Sequence, residues 1–180
     1  RIMSIPYTIS AVLSPFLGFF VDKFGRRAFI AFLAPCFLLV VHLSLGLTHG
    51  SPVIPLIGQG IAYALYAAVI WPSVPLTVEA KLTGTAYGTI TAIQNIGLAF
   101  FPLFIAAIYN SSGEHYIPSV ELFFAVCALF GAFAGILLNI YDRRKGRKLN
   151  SSSLTVTVDF DRDSMSSMSS LILRNEGEYI

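Results

Sequence analysis

The sequence predicts an all-α membrane protein, five transmembrane helices followed by a disordered tail, and three observations lead there. Charged residues make up only 12% of the 180-residue chain against 55% hydrophobic residues, with a mean hydropathy of +0.71; soluble domains carry about 25% charged residues. The charges are also segregated, with no Asp, Glu, Lys or Arg between Ala28 and Val78, between Leu82 and Gly113, or between Leu122 and Tyr141. Finally, the intervals between charges suit a bilayer span of roughly 20 apolar residues, at whose centre a charge costs about 2.5–3.5 kcal/mol. A soluble core would need polar faces, and the second to fourth segments offer almost none.

The spans fall at Ile2–Val21, Ala28–Thr48, Val53–Val78, Gly84–Tyr109 and Val120–Tyr141. Pro6 and Pro15 interrupt the first, and Pro72 and Pro75 weaken the third. Lys23, Arg26 and Arg27 follow the first span, Lys81 the third, and Arg143–Lys148 the fifth, while the alternate loops hold neither Lys nor Arg. This bias puts the C-terminus in the cytoplasm. Residues 1–142 form the membrane unit and residues 143–180 a basic, Ser-rich tail without the period of helix or strand, too polar to order itself. The basic cluster orients the chain and suits anionic headgroups. Cys36 and Cys127 lie inside spans as small hydrophobes. No paired intramembrane carboxylates, metal-spaced His/Cys cluster or activated nucleophile is present, which argues against an enzyme, a cofactor or a nucleic-acid partner.

The stretch that runs from the end of the first span into the following loop carries the most information. It reads Gly18-Phe19-Phe20-Val21-Asp22-Lys23-Phe24-Gly25-Arg26-Arg27. Gly18 would admit a neighbouring helix, Gly25 a tight reversal with positive φ, and Asp22 could face the positive N-terminus of another helix. This Gly-x-x-x-Asp-x-x-Gly-Arg-Arg order resembles the cytoplasmic signature of the major facilitator superfamily. The resemblance implies a twelve-helix fold with one such loop in each half. Four spans follow this copy, so the chain is expected to be a C-terminal-half fragment, the eighth to twelfth spans, with the N-terminal half elsewhere in a longer protein. Gly18, Asp22, Lys23, Gly25, Arg26 and Arg27 would then form a gating loop, Asp22 latching onto a helix of the other half.

Further stretches resemble the lysosomal dipeptide uniporter branch: Ser4-Ile5-Pro6-Tyr7-Thr8-Ile9-Ser10, Trp71-Pro72, Gly84-Thr85-Ala86-Tyr87-Gly88 and Gln94-Asn95-Ile96-Gly97-Leu98-Ala99. That resemblance implies alternating-access export of dipeptides across the lysosomal membrane, with a lysosomal glycoprotein as accessory subunit. Polar stripes at helical spacing run along the first, third and fourth spans, and Tyr7, Tyr63, Tyr66, Trp71, Gln94 and Asn95 are the candidate cavity residues. Each has a second reading as interhelical hydrogen-bond glue. His42 stands alone in the second span and reads as an interhelical residue rather than a proton site. Two alternatives stay open: a proton-coupled carrier of sugars or organic anions, for which only His42 and the boundary residue Glu121 could serve, and a transport-inactive scaffold binding a membrane partner.

Overall fold

The structure is a computed structural model that describes residues 2–48, 50–151 and 165–166. A 3₁₀ turn, Ile2–Ser4, leads into α1 (Ile5–Phe24); α2 (Arg27–Leu47), α3 (Val53–Thr77), α4 (Thr83–Ser111) and α5 (Ser119–Arg144) follow. All five helices are long and apolar enough to cross a membrane, and no strand occurs among the described residues. Their bounds lie within a few residues of the spans read from charge placement. The prolines do not break the helices. Pro6 sits in the first turn of α1, where its missing N–H has no partner to lose. Pro15, Pro35, Pro72, Pro75 and Pro102 lie inside continuous helices. In a bilayer side chains and neighbouring helices can take up the carbonyls that a proline frees. Trp71 is such a case. Pro75 cannot donate to its carbonyl, and the Tyr87 hydroxyl of α4 does so at 3.0 Å.

Successive helices run in opposite directions, and contact order sets a row: α1 packs on α3, α3 on α2, and α2 on α5. Small residues let the backbones close. A Cβ on Gly60 would lie 2.8 Å from the Pro6 carbonyl oxygen, and one on Gly135 only 2.6 Å from the Phe32 Cα. Gly131 faces Pro35 in the same way, at 3.0 Å. Val21, Ala68 and Val69 form a buried apolar cluster, with Leu17, Ile30 and Ala31 packed around it. α4 stands at the side, touching α3 and α5 lightly, and none of its residues is buried.

The basic end of the bundle is closed by residues that sequence reading assigns to the tail. α5 continues to Arg144, and the chain then folds back onto the start of α2. Arg27 N–H donates to the Leu149 carbonyl at 3.0 Å and Arg26 N–H to that of Asn150 at 3.3 Å. The Asn150 Oδ1 accepts from Phe29 N–H at 3.2 Å. These contacts satisfy donors that every helix N-terminus leaves open. Leu149 is buried, and buried Asp142 accepts from its N–H at 2.8 Å and from the Asn150 amide at 2.9 Å. The chain is therefore docked beyond residue 142, because Asn150 supplies a cap that lies 121 residues from its recipient Phe29. The remaining tail, residues 152–164 and 167–180, on which the expectation of disorder falls, lies outside the described residues.

The α2–α5 contact predicts opposite responses at two glycines. Gly135→Ala drives a methyl into the Phe32 backbone and is expected to cost about 1–3 kcal/mol, more than the ~1 kcal/mol gained in helix propensity. At Gly18 a Cβ would meet nothing within 4 Å, so Gly18→Ala should leave stability unchanged or slightly raised. Thermal unfolding in detergent measures both, and equal melting temperatures would show that α2 and α5 do not approach this closely.

Candidate functional site

α2, α3 and α5 enclose a cleft of about 580 Å³ whose polar lining is His42, Tyr63 and Tyr66. Its other walls are small or apolar, among them Pro35, Phe124 and Gly131. At one end His42 Nδ1 lies 2.7 Å from Glu121 Oε2, and both side chains are about nine-tenths buried (11% and 9% exposed). Gly46 makes room for this contact, since a Cβ there would sit 3.1 Å from that of Glu121. The imidazole also stacks on the Phe124 ring at 5.1 Å. The hydrogen bond survives with the shared proton on either partner: a neutral carboxyl donates to the ring nitrogen, and an imidazole N–H donates to the carboxylate. Outside the spans, before α5, burial pushes the Tyr116 phenol up, and the negative Glu121 adds to the shift.

His42 thus meets an interhelical partner, 79 residues away in sequence. Glu121 looked like a boundary charge because it falls in the first turn of the fifth span, where nothing local identifies its partner.

The candidate cavity residues do not share one surface. Tyr63 and Tyr66 face the cleft together. Trp71, further along α3, stacks on Tyr87 of α4 with ring centroids 6.1 Å apart. Tyr7 is 74% exposed on α1. Gln94 and Asn95 are exposed on α4, and their side chains make no hydrogen bond among the described residues. The hydroxyls beside Tyr7 are spent locally, Thr8 on the Ser4 carbonyl at 3.1 Å and Ser14 on that of Ser10 at 2.6 Å. Such back-bonding is the usual fate of Ser and Thr inside a helix.

In the loop between α1 and α2, Gly25 reverses the chain at φ 69° and Arg26 follows in the left-handed region at φ 59°. Lys23 is exposed over the Phe24 ring, and Gly18 faces open space in this chain. Arg27 Nη2 donates to Asp22 Oδ1 at 2.7 Å. The two side chains differ sharply, Arg27 being 5% and Asp22 60% exposed. Arg27 Nε and Nη1 are buried without a hydrogen-bond partner among the described residues.

Sequence reasoning missed the polar group that ties α2 to α5 near this loop. Asn139 donates to the Ala28 carbonyl at 2.6 Å and the Gly135 carbonyl at 2.8 Å. The available signal was a lone amide in an apolar span, where an unpaired polar group is costly.

The chain matches the sequence profile of the Major Facilitator Superfamily over residues 2–174. It is 38% identical over 154 residues to the lysosomal dipeptide transporter MFSD1 of Danio rerio, a match covering 86% of this chain and 33% of that protein. The protein of the same name from Homo sapiens is 36% identical over 152 residues (84% of this chain, 32% of the relative), and that from Mus musculus 37% over the same length and shares. The chain spans about a third of the length of these relatives. No solved structure gives a significant match.

The buried pair should behave as a coupled unit. Removing one member leaves the other buried without its partner, so His42→Ala and Glu121→Ala are each expected to destabilise by about 3–5 kcal/mol. The double variant should cost clearly less than the sum. Strict additivity in a detergent unfolding cycle would mean that the two side chains do not interact.

Proposed function

The chain belongs to the major facilitator superfamily, and we propose that it forms the carboxyl-terminal wall of an alternating-access carrier that exports dipeptides across the lysosomal membrane. The supporting observation is the exposure of uncharged polar and aromatic side chains on helices that otherwise suit hydrocarbon. Tyr7, Tyr63, Tyr66, Trp71, Gln94 and Asn95 are all exposed, and no residue of α4 is buried. In lipid such a surface requires a cover or a wet cavity, and the opposing half of a longer carrier supplies both. Relatives named as lysosomal dipeptide transporters support the choice of solute and membrane. Dipeptides vary in side chain, and neutral hydrogen-bonding and aromatic groups make a tolerant wall. The charged anchors for the two peptide termini then belong to the other half or to the seventh span. A lysosomal glycoprotein accessory subunit completes this reading, with the basic end of the bundle and the C-terminus in the cytoplasm.

A second reading is favoured by one observation. His42 and Glu121 form a buried ionisable pair between two membrane helices at the edge of the cleft. Such pairs serve as proton relays in carriers, which would make this one proton-coupled.

The loop between α1 and α2 is proposed as the gate. Asp22 is mostly exposed although its carboxylate accepts from Arg27, and an exposed carboxylate at a helix end can engage the N-terminus of a helix in the opposing half. Such a contact is worth about 0.3–1 kcal/mol, and it would favour the state closed to the cytoplasm.

Two measurements on the longer protein follow. Alanine at Tyr66, Trp71, Gln94 or Asn95 should lower dipeptide uptake into proteoliposomes by about five-fold each, one hydrogen bond's worth, with membrane insertion intact. Unchanged uptake in all four would assign these residues to helix packing. Uptake that rises when a proton gradient is imposed, and loses that rise in Glu121→Gln, would select the proton-coupled reading. In the second measurement, Asp22→Asn should shift the population towards the cytoplasm-open state by about two- to five-fold. Labelling of cysteines placed in the cytoplasmic mouth reports the shift, and labelling at the wild-type level would leave the loop a topological signal only.

A further inference from the structure

We propose that the groove between the basic ends of α2 and α5 binds one anionic phospholipid, its phosphate held by Arg26, Arg143 and Arg147. The groove has a volume of about 570 Å³ and is lined by these three arginines together with Phe29, Phe32 and Ile140. Helix order sets the layout. Arg26 caps α2, Arg143 is in the last turn of α5, and Arg147 lies just beyond it, so the cations ring the mouth. Phe29, Phe32 and Ile140 lie up to about two turns deeper along the same helices, at 5.4 Å per turn.

The charges are unspent. None of the three arginines forms an ion pair among the described residues, and all three are exposed. Among the described residues no carboxylate lines the groove. Asp142, the acid nearest in sequence, is buried and accepts from Leu149 and Asn150 instead, while Asp22 is held by Arg27. The backbone presents two of these cations from conformations rare for residues with a side chain, Arg26 and Arg147 both at φ 59°. Backbone contacts hold them there: Arg26 N–H on the Asn150 carbonyl, and Arg147 N–H on the Asp142 carbonyl at 2.7 Å.

The chemistry selects the occupant. Guanidinium forks match phosphate oxygens in a bidentate manner, and the positive end of the α2 dipole adds to their field. A free phosphate would use only the mouth and leave the apolar floor uncovered. A phospholipid uses both, its headgroup on the arginines and an acyl chain along Phe29, Phe32 and Ile140. Three cations without a lining carboxylate favour a net negative headgroup over a zwitterionic one. This assignment stands on the groove alone and does not depend on what the protein carries.

The test is native mass spectrometry of the whole chain released from detergent after incubation with phosphatidylserine or phosphatidylcholine. One phosphatidylserine should be retained in preference to phosphatidylcholine. The Arg26→Gln/Arg143→Gln/Arg147→Gln variant should weaken its retention by on the order of a hundred-fold. Arg144→Gln/Lys145→Gln/Lys148→Gln removes equal charge outside the groove and should weaken it far less. Should the triple groove variant fold poorly, Arg143→Gln alone, on an exposed helical turn, is expected to weaken retention several-fold. Equal losses in the groove and control variants would overturn the site in favour of diffuse attraction. Retention unaffected by Arg143→Gln would also overturn it. Displacement of the lipid by equimolar glycerol 3-phosphate would show that the acyl floor contributes nothing, and the lipid assignment would fall.

Discussion

The close antiparallel seam between α2 and α5 is the contact on which the rest of the structure hangs. In hydrocarbon there is no hydrophobic gain from joining two apolar helices, so close backbone packing and interhelical hydrogen bonds must do it. This seam uses both along its whole length. Asn139 bonds the Ala28 carbonyl at the basic end, Gly135 and Gly131 admit Phe32 and Pro35 in the middle, and Glu121 meets His42 at the far end. A single register joins all three. Moving α5 by one turn, about 5.4 Å, would part the amide from its carbonyl and the acid from its imidazole together.

Several features inherit their position from that register. The cleft exists because α3 packs on α2 while α5 holds the other side of α2, leaving Tyr63 and Tyr66 opposite His42 and Phe124. The docked segment after α5 reaches the start of α2 because the seam brings the end of one helix beside the beginning of the other. There Asn150 and Leu149 supply acceptors for N–H groups that a helix N-terminus otherwise leaves open. The arginine-lined groove is the outer face of this same junction.

Polar groups in the spans divide into those spent on the fold and those left over. Thr8 and Ser14 serve their own helix, and Tyr87 serves the carbonyl that Pro75 frees in α3. Asn139 and the His42–Glu121 pair serve the seam. Gln94, Asn95 and Tyr7 form no side-chain hydrogen bond among the described residues and are exposed. In the proposed carrier these unspent neutral groups are the material of the solute path, and the spent ones are the scaffold that holds the helices together.

The number of helices, their approximate limits and the reversal at Gly25 between the first two were legible in the sequence, because each is a one-dimensional property. Charges are excluded from hydrocarbon one residue at a time, so their spacing alone marks the spans. The reversal at Gly25 needs only a residue that tolerates positive φ. The partners of individual side chains were not legible. His42 and Glu121 are 79 positions apart, and Phe29 and Asn150 are 121 apart. Helical periodicity reports which residues share a face but not which face meets which helix. For that reason the polar stripes did not separate Tyr63 and Tyr66, which share the cleft, from Gln94 and Asn95, which do not. Composition likewise did not separate Leu149 and Asn150 from the polar residues after them. In a bilayer every apolar face is equally welcome, so hydropathy determined that the helices form and cross. Only the tertiary structure, through glycines that let backbones touch and a few buried hydrogen bonds, decided which of them pair.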